Sequence, residues 1–195
     1  KDPAFFALSD DVASDLEKFV KWMQREYGDD VFRSDVTVLD AGCGNGRNLL
    51  WLTEMYRVRG YGYDISEEAI KQAQGHAEKL QFGKKLSFSV HSIGELIALP
   101  DESVDVVLDM MASHFLKEKE RAIFIAEIAR VLKPQGALFF KSFYAEGDRH
   151  AKDLIEHSGA WEKNSYIHHT MKVYEDVWTD QAHTESFDAH LLLQH

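Results

Sequence analysis

Val36-Thr37-Val38-Leu39-Asp40-Ala41-Gly42-Cys43-Gly44-Asn45-Gly46-Arg47-Asn48-Leu49-Leu50 is the stretch whose reading decides the fold. Val36, Val38 and Leu39 are aliphatic and bounded by polar residues, so they predict a short buried strand. Gly42, Gly44 and Gly46 then alternate with Cys43 and Asn45. Glycines at this density let the backbone take turns closed to other residues and leave room for a ligand against bare main chain. From Arg47 to Met55 the pattern turns helical, with Leu49, Leu50 and Leu52 near its start. A strand, a glycine turn and a helix N-terminus in succession make a site for an anion or a polar small molecule. The first N–H groups of the helix and its dipole point at that site.

Upstream, Phe5, Phe6 and Leu8 precede Ser9-Asp10-Asp11, and Val12, Leu16, Phe19 and Met23 then recur at helical spacing. This predicts an amphipathic helix ending at Tyr27-Gly28 that covers the sheet or lies as a lid over the ligand. Downstream, Tyr61, Tyr63 and Ile65 alternate in a second strand with Asp64 at its end. Ser66 is a good N-cap for the next helix, and Glu67 and Glu68 suit its positive end. Ile70, Ala73, Ala77 and Leu80 mark the apolar stripe of that helix. Leu86, Phe88 and Val90 predict a third strand leading to His91-Ser92-Ile93, and Val104 to Met111 a buried central one. Lys117 to Leu132 predicts a helix stopped by Pro134 and Gly136, and Ala137 to Phe143 a fifth strand.

Strands alternating with helices predict an α/β, doubly wound, mostly parallel sheet with helices on both faces. Such sheets bind ligands at the carboxyl ends of their strands. Asp40 with the glycines, Asp64, Ser92 and Asp109 fall at or near those ends. The last fifty residues are less regular: Asp148 to Ser158 reads as a helix, Trp161 to Thr170 as a loop, Val173 to Thr184 is ambiguous, and Phe187 to Leu193 reads as a final strand.

The bulk properties narrow the classes. A chain of 195 residues with 45% hydrophobic and 28% charged residues suits one soluble globular domain. The net charge of −11 and the absence of a long Lys/Arg run argue against a phosphate-backbone binder. Cys43 is the single cysteine, which excludes an internal disulfide and a cysteine zinc site; it is read as a small loop residue. No apolar run approaches the roughly 20 residues of a membrane helix. The expected location is the cytoplasm. Lys1 in place of Met suggests that upstream residues, and any address they carried, are missing.

Asp40-Ala41-Gly42-Cys43-Gly44-Asn45-Gly46 resembles the first motif of the class I S-adenosylmethionine-dependent methyltransferases. Gly62-Tyr63-Asp64-Ile65-Ser66 resembles the family's acidic motif closing the second strand, and Leu99 to Val107 its approach to the fourth. Ala129-Arg130-Val131-Leu132-Lys133-Pro134-Gln135-Gly136-Ala137-Leu138 resembles its segment before the fifth. These matches run in order over residues 36 to 143. The resemblance implies a Rossmann-like sheet of strand order 3-2-1-4-5 with a C-terminal hairpin, here incomplete. It implies one domain over 1–195: a helical cap at 1–30, a cofactor-binding core at 36–143 and an acceptor-side region at 144–195 that is read as truncated.

The resemblance also implies S-adenosyl-L-methionine as cofactor and assigns roles. Ala41, Gly42, Cys43 and Gly44 would lie against its methionine part. Arg47 and Asn48 would face the carboxylate, and Asp40 would contact the amino group or organise the loop. Asp64 would accept from both ribose hydroxyls, and Ile65 and Ile93 would sandwich the adenine. Ser92 stands where many relatives carry aspartate on the adenine amino group; serine accepts such a bond without charge. Asp109 and Met110 would sit near the sulfonium and its methyl group. His114, Tyr144, Tyr166 and His168 are read as the acceptor side.

A methyl group on a sulfonium is already activated, so alignment and desolvation matter more than acid or base chemistry, and no catalytic residue is assigned. Met110-Met111-Ala112-Ser113-His114 replaces the Asn/Asp-Pro-Pro-Tyr of the family's nucleic-acid amino-methylating members. With the acidic charge, this favours a small-molecule or protein acceptor over nucleic acid; a small-molecule acceptor is the leading expectation, and no membrane partner is expected. Seven of the ten histidines lie from His150 onward, but without metal-ligand spacing, so no metal is expected. Either the last strand of the sheet is missing or the sheet is built differently; a missing strand would expose an apolar edge and predicts a homodimer or instability. Two rival readings remain: a cofactor-binding protein without catalysis, and a nicotinamide-dependent oxidoreductase, whose G-x-G-x-x-G spacing this loop lacks.

Overall fold

The computed structural model describes residues 10–142, 149–157, 159–162, 165–167 and 174–176. The chain divides into two compact units, one over residues 1–92 and 104–108 and the other over 93–103 and 109–195.

In the first unit, β1 (Thr37–Ala41), β2 (Arg59–Asp64) and β3 (Leu86–Val90) run parallel. β1 pairs with β2 from Thr37 opposite Arg59 to Ala41 opposite Tyr63. β2 pairs with β3 from Gly60 opposite Leu86 to Asp64 opposite Val90. Parallel neighbours need crossovers, and α2 (Arg47–Tyr56) and α3 (Glu67–Lys79) supply them. Val38, Leu39, Asp40 and Ala41 are all buried, as expected for a strand covered on both faces. β2 carries glycine at alternate positions for a packing reason. A Cβ on Gly60 would stand 2.6 Å from Leu49 of α2, and one on Gly62 would stand 2.5 Å from Phe88 and 2.8 Å from the Cys43 sulfur.

α1 (Ser14–Tyr27) precedes the sheet and buries Leu16, Val20 and Met23. Val20 thus takes the place predicted for Phe19: positions 16, 20 and 23 share one arc of about 60° on the helix, with Val20 on the other side of Leu16 from Phe19. Phe19 lies at the edge of that arc and stacks on Trp22 at 6.2 Å. Ser66 caps α3 as predicted, its hydroxyl accepting from the Ala69 N–H at 3.2 Å. Leu80 stands just beyond α3 and is 44% exposed, so the buried stripe of the helix ends at Ala77.

β4 (Val104–Met110) leaves the first unit at Leu108. The five-stranded sheet has the order β3-β2-β1-β4-β5, as predicted. In the second unit, α4 (Glu118–Val131) passes directly into β5 (Leu132–Lys141). β5 therefore begins five residues before the predicted start. Pro134 and Gly136 read as a stop, yet β5 is an edge strand of its sheet, where a missing N–H is tolerated, and Gln135, left-handed at φ 67°, is exposed, with Pro134 next to it. α5 (Arg149–His157) agrees with the predicted helix. β6 (Gly159–Glu162), β7 (Ser165–Ile167) and β8 (Tyr174–Asp176) form a small antiparallel sheet; β7 and the end of β6 fall where the sequence predicted a loop at Trp161–Thr170, and β8 in the stretch left ambiguous at Val173–Thr184. Strands of three or four residues are too short to show alternation. The predicted strand at Phe187–Leu193 lies outside the described residues. Among those described, no helix is long and apolar enough to cross a membrane.

The segment 93–103 has no helix or strand, and α4 clamps it. Arg130 donates to the Leu99 and Ile97 carbonyls, each at 2.8 Å, and to Asp101 at 2.6 Å. It also meets both oxygens of Glu127, at 3.0 and 2.7 Å. Glu127 in turn accepts from the Ile97 N–H at 2.7 Å. The hydrogen bond from Arg130 holds the buried Glu127 carboxyl below its ordinary range. Arg130→Met is expected to destabilise the chain by about 3 kcal/mol in urea unfolding, because it strands that carboxylate. A lowered carboxyl pKa contributes stability above the usual value of about 4.3 and loses it as pH falls below, so the difference from wild type should shrink in acid.

Candidate functional site at the strand ends

The glycine segment leaves β1 and is tied to the end of β2. The Tyr63 carbonyl accepts from the N–H groups of both Gly42 and Cys43, at 2.8 and 2.9 Å. The Gly44 N–H donates to one oxygen of Asp64 at 2.8 Å, and the Ser66 N–H donates to the other at 2.9 Å. Gly42, Gly44 and Gly46 have φ of 81°, 54° and 80°, a region that side chains strain to reach. The Gly46 N–H closes on the Cys43 carbonyl at 3.0 Å, and the Gly46 carbonyl accepts from Leu50 at 2.9 Å to open α2. Local sequence and tertiary bond thus agree: the turn needs the glycines, and Asp64 fixes where it lies.

Asp40 and Ala41 end β1 and are buried. Cys43 is buried as well. Burial, then the charges of Asp40 and Asp64, push its thiol far above the ordinary range, so it stays protonated and unreactive. This gathers Asp40, Cys43 and Asp64 in one neighbourhood. Ile65 follows Asp64 and is 75% exposed. Ser92 is half-buried beyond β3. His91 had no predicted role; its N–H donates to the Asp64 carbonyl at 2.9 Å and its ring lies 4.9 Å from that of Tyr63.

Arg47 and Asn48 open α2, but Asn48 also reaches upstream: its amide oxygen accepts from the Ala13 N–H at 3.3 Å. Asn45, which the sequence reading passed over, donates to the Asp10 carboxylate at 3.2 Å. Both bonds join residues 35 positions apart, which no local pattern reveals. Arg47 lines a cavity of about 500 Å³ together with Asp11, Trp51, Glu54, His76 and Lys79, among others.

The second unit holds the remaining predicted residues of the described chain. Ile93 is buried and Met110 half-buried. Asp109, ending β4, is wholly buried; one oxygen accepts from the Ala112 and Ser113 N–H groups at 3.2 and 3.1 Å. Its other oxygen is buried with no hydrogen bond. Burial, only partly offset by the Ser113 and Ala112 bonds, pushes the carboxyl from 3.8 up to about 6. A raised carboxyl pKa means that the folded chain holds the proton more tightly. The contribution is full below about pH 4 and is lost as pH rises through about 6, leaving roughly 3 kcal/mol of cost at neutrality. Asp109→Asn should therefore raise stability at pH 7 by about 1–3 kcal/mol and flatten the fall between pH 4 and 6 in urea titrations.

His114 is 2% exposed, in a short helical turn with its ring 4.0 Å from that of Phe115. Tyr166 lies in β7, opposite Ala160 and Glu175. Tyr144 and His168 lie outside the described residues. Among those described, no group of three His, Cys, Asp or Glu is placed to hold a metal ion.

A family described as a methyltransferase domain matches residues 32–189. The chain is 35% identical over 106 residues to ajmaline N-methyltransferase of Rauvolfia serpentina, covering 54% of this chain and 35% of that protein. It is 32% identical over 111 residues to 27-O-demethylrifamycin SV methyltransferase of Amycolatopsis mediterranei, covering 57% and 40%. The chain thus spans well under half the length of these relatives. Its fold is similar to that of the crystallised MccD protein, with a TM-score of 0.70 at 18% identity over 92% of this chain and 72% of the other. A putative methyltransferase from Haloferax volcanii, solved in complex with the Trm112 methyltransferase activator, superposes with a TM-score of 0.62 at 25% identity over 89% and 72%. The methyltransferase match over residues 32–189, on a 3-2-1-4-5 sheet with a glycine turn clamped by Asp64, makes this chain a member of the class I S-adenosylmethionine-dependent methyltransferase family.

Proposed function

We propose that this chain transfers a methyl group from S-adenosylmethionine to a small-molecule acceptor. The observation that carries the reading is the pairing of the bare glycine turn with Asp64 at the ends of β1 and β2. S-adenosylmethionine is the cofactor of the family, and the residues present suit it. Each Asp64 oxygen accepts one backbone bond and keeps a lone pair for a ribose hydroxyl. The turn presents main chain without side-chain bulk, and α2 opens directly behind it.

When bound, the cofactor supplies a methyl group on a cationic sulfur, ready for in-line displacement. The chain's own part is to hold and to exclude. Ala41, Gly42, Cys43, Gly44, Arg47 and Asn48 take the amino-acid end, with Asp40 on the amino group or ordering the loop. Ile65, Ser92 and Ile93 take the adenine. Asp109 and Met110 are assigned to the side of the reacting sulfur, and His114 and Tyr166 to the acceptor. No general base is needed for an acceptor that arrives with a free lone pair.

The relatives named as acting on ajmaline and on demethylrifamycin support a small organic acceptor. A second reading, binding without turnover, draws on the uncharged Ser92 at the adenine position. Calorimetry with S-adenosylmethionine and S-adenosylhomocysteine, followed by a panel of amine, phenol and carbon acceptors, tests both. Binding with turnover supports the transferase. Binding with no turnover on any acceptor supports the second reading, and no binding overturns both.

A further inference from the structure

Residues 10–13 form a strap that leads into α1 and is fastened to the glycine segment. Asn45 donates to Asp10, and Ala13, the N-cap residue of α1, donates its N–H to Asn48. The two anchors are buried, at 2% and 7% exposure. The strap is not: Asp10 and Asp11 are exposed, and Val12 and Ala13 half-buried. Residues Asp10, Asp11 and Val12 of the strap line the cavity of about 500 Å³ together with residues of α2 and α3. Burying one large apolar side chain contributes roughly 1.5–3 kcal/mol, whereas a hydrogen bond contributes about 1 kcal/mol net. A segment fastened by polar bonds over open space belongs to the low-stability end of a structure.

Asn45 stands between Gly44 and Gly46, so the direction of its side chain follows the backbone of those two glycines. A ligand lying against the turn narrows that backbone freedom. It thereby lowers the entropic cost of presenting the amide to Asp10. Asn48, in the first turn of α2, follows the same backbone one turn on.

We propose that filling of the glycine turn and seating of the strap are coupled, with Asn45, Asn48 and Asp10 as positioning residues. The inference rests on the turn being the cofactor site, as proposed above. Coupling is reciprocal: cofactor steadies the strap, and a seated strap tightens the cofactor by the same factor. Residues 10–13 are then a cofactor-dependent wall of the site, in addition to leading into α1.

The test uses the whole chain and S-adenosylhomocysteine. Asp10 is exposed, so Asp10→Ala should fold with an unfolding midpoint near wild type. It is expected to bind the ligand three- to tenfold more weakly. Asp10→Asn keeps an acceptor for Asn45 and should restore binding to near wild type, which mere loss of a surface charge would not allow. Hydrogen exchange at the Ala13 amide reports the second fastening directly: ligand should slow it severalfold in wild type and less in Asp10→Ala. Equal affinity in Asp10→Ala and wild type, or Ala13 exchange indifferent to ligand, would overturn the coupling. Failure of wild type to bind at all would instead overturn the cofactor reading, so the two failures are told apart.

Discussion

Asp64→Ala is expected to bind S-adenosylhomocysteine at least about 100-fold more weakly than wild type. Two losses combine. The carboxylate can accept two ribose hydroxyls, and hydrogen bonds to a charged group are worth roughly 1.5–3 kcal/mol each. The same group also holds the Gly44 N–H at 2.8 Å and so fixes the turn against which the ligand would lie. Each 1.4 kcal/mol is tenfold in affinity, so either loss alone is measurable and their sum approaches the limit of calorimetry. The fold itself should suffer little. Ser66 is exposed, and its N–H passes to water, while Gly44 is half-buried; about 1–2 kcal/mol of stability is at stake. Asp64→Asn should fall between, keeping an acceptor oxygen but no charge. A Kd for Asp64→Ala within threefold of wild type would remove Asp64 from the site.

Gly62→Ala is expected to cost about 2–3 kcal/mol in urea unfolding and to weaken ligand binding as well. The added methyl would stand 2.5 Å from a Phe88 ring carbon and 2.8 Å from the Cys43 sulfur. Neither neighbour yields easily, since both are 5% exposed and close-packed. The push on Cys43 is a push on the glycine turn, so stability and affinity should fall together. Gly75, inside α3, is the control: a Cβ there meets nothing within 4 Å. Gly75→Ala should leave binding unchanged and add about 0.5–1 kcal/mol through helix propensity. A Gly62→Ala chain as stable as wild type would mean that β2 and the turn adjust freely.

These two glycines show where sequence reading stops. The alternation of Tyr61 and Tyr63 made β2 legible, but nothing local says that Gly62 makes room for Phe88 of the next strand. Likewise the turn was legible because its glycines and Asp64 sit at strand ends, a rule of the fold class. The second fastening of that turn was not: Asn45 and Asn48 bond partners 35 residues away, and polar residues carry no periodicity. β5 was misplaced at its start because Pro134 and Gly136 punctuate most chains, and only its exposure lets this strand run through them. The small sheet of β6, β7 and β8 was missed because three residues cannot display a period of two.

The clasp made by Arg130 has a consequence for how the chain comes to be ordered. A ribosome that has just released Met110 has delivered four strands and the whole of segment 93–103, yet not the helix that grips that segment. Ile97 and Leu99 must wait for a guanidinium encoded some thirty codons later. Here the acquisition of order runs backwards along the nascent polypeptide, and a chain stalled before Arg130 would offer this crossover, unclasped, to chaperones and proteases.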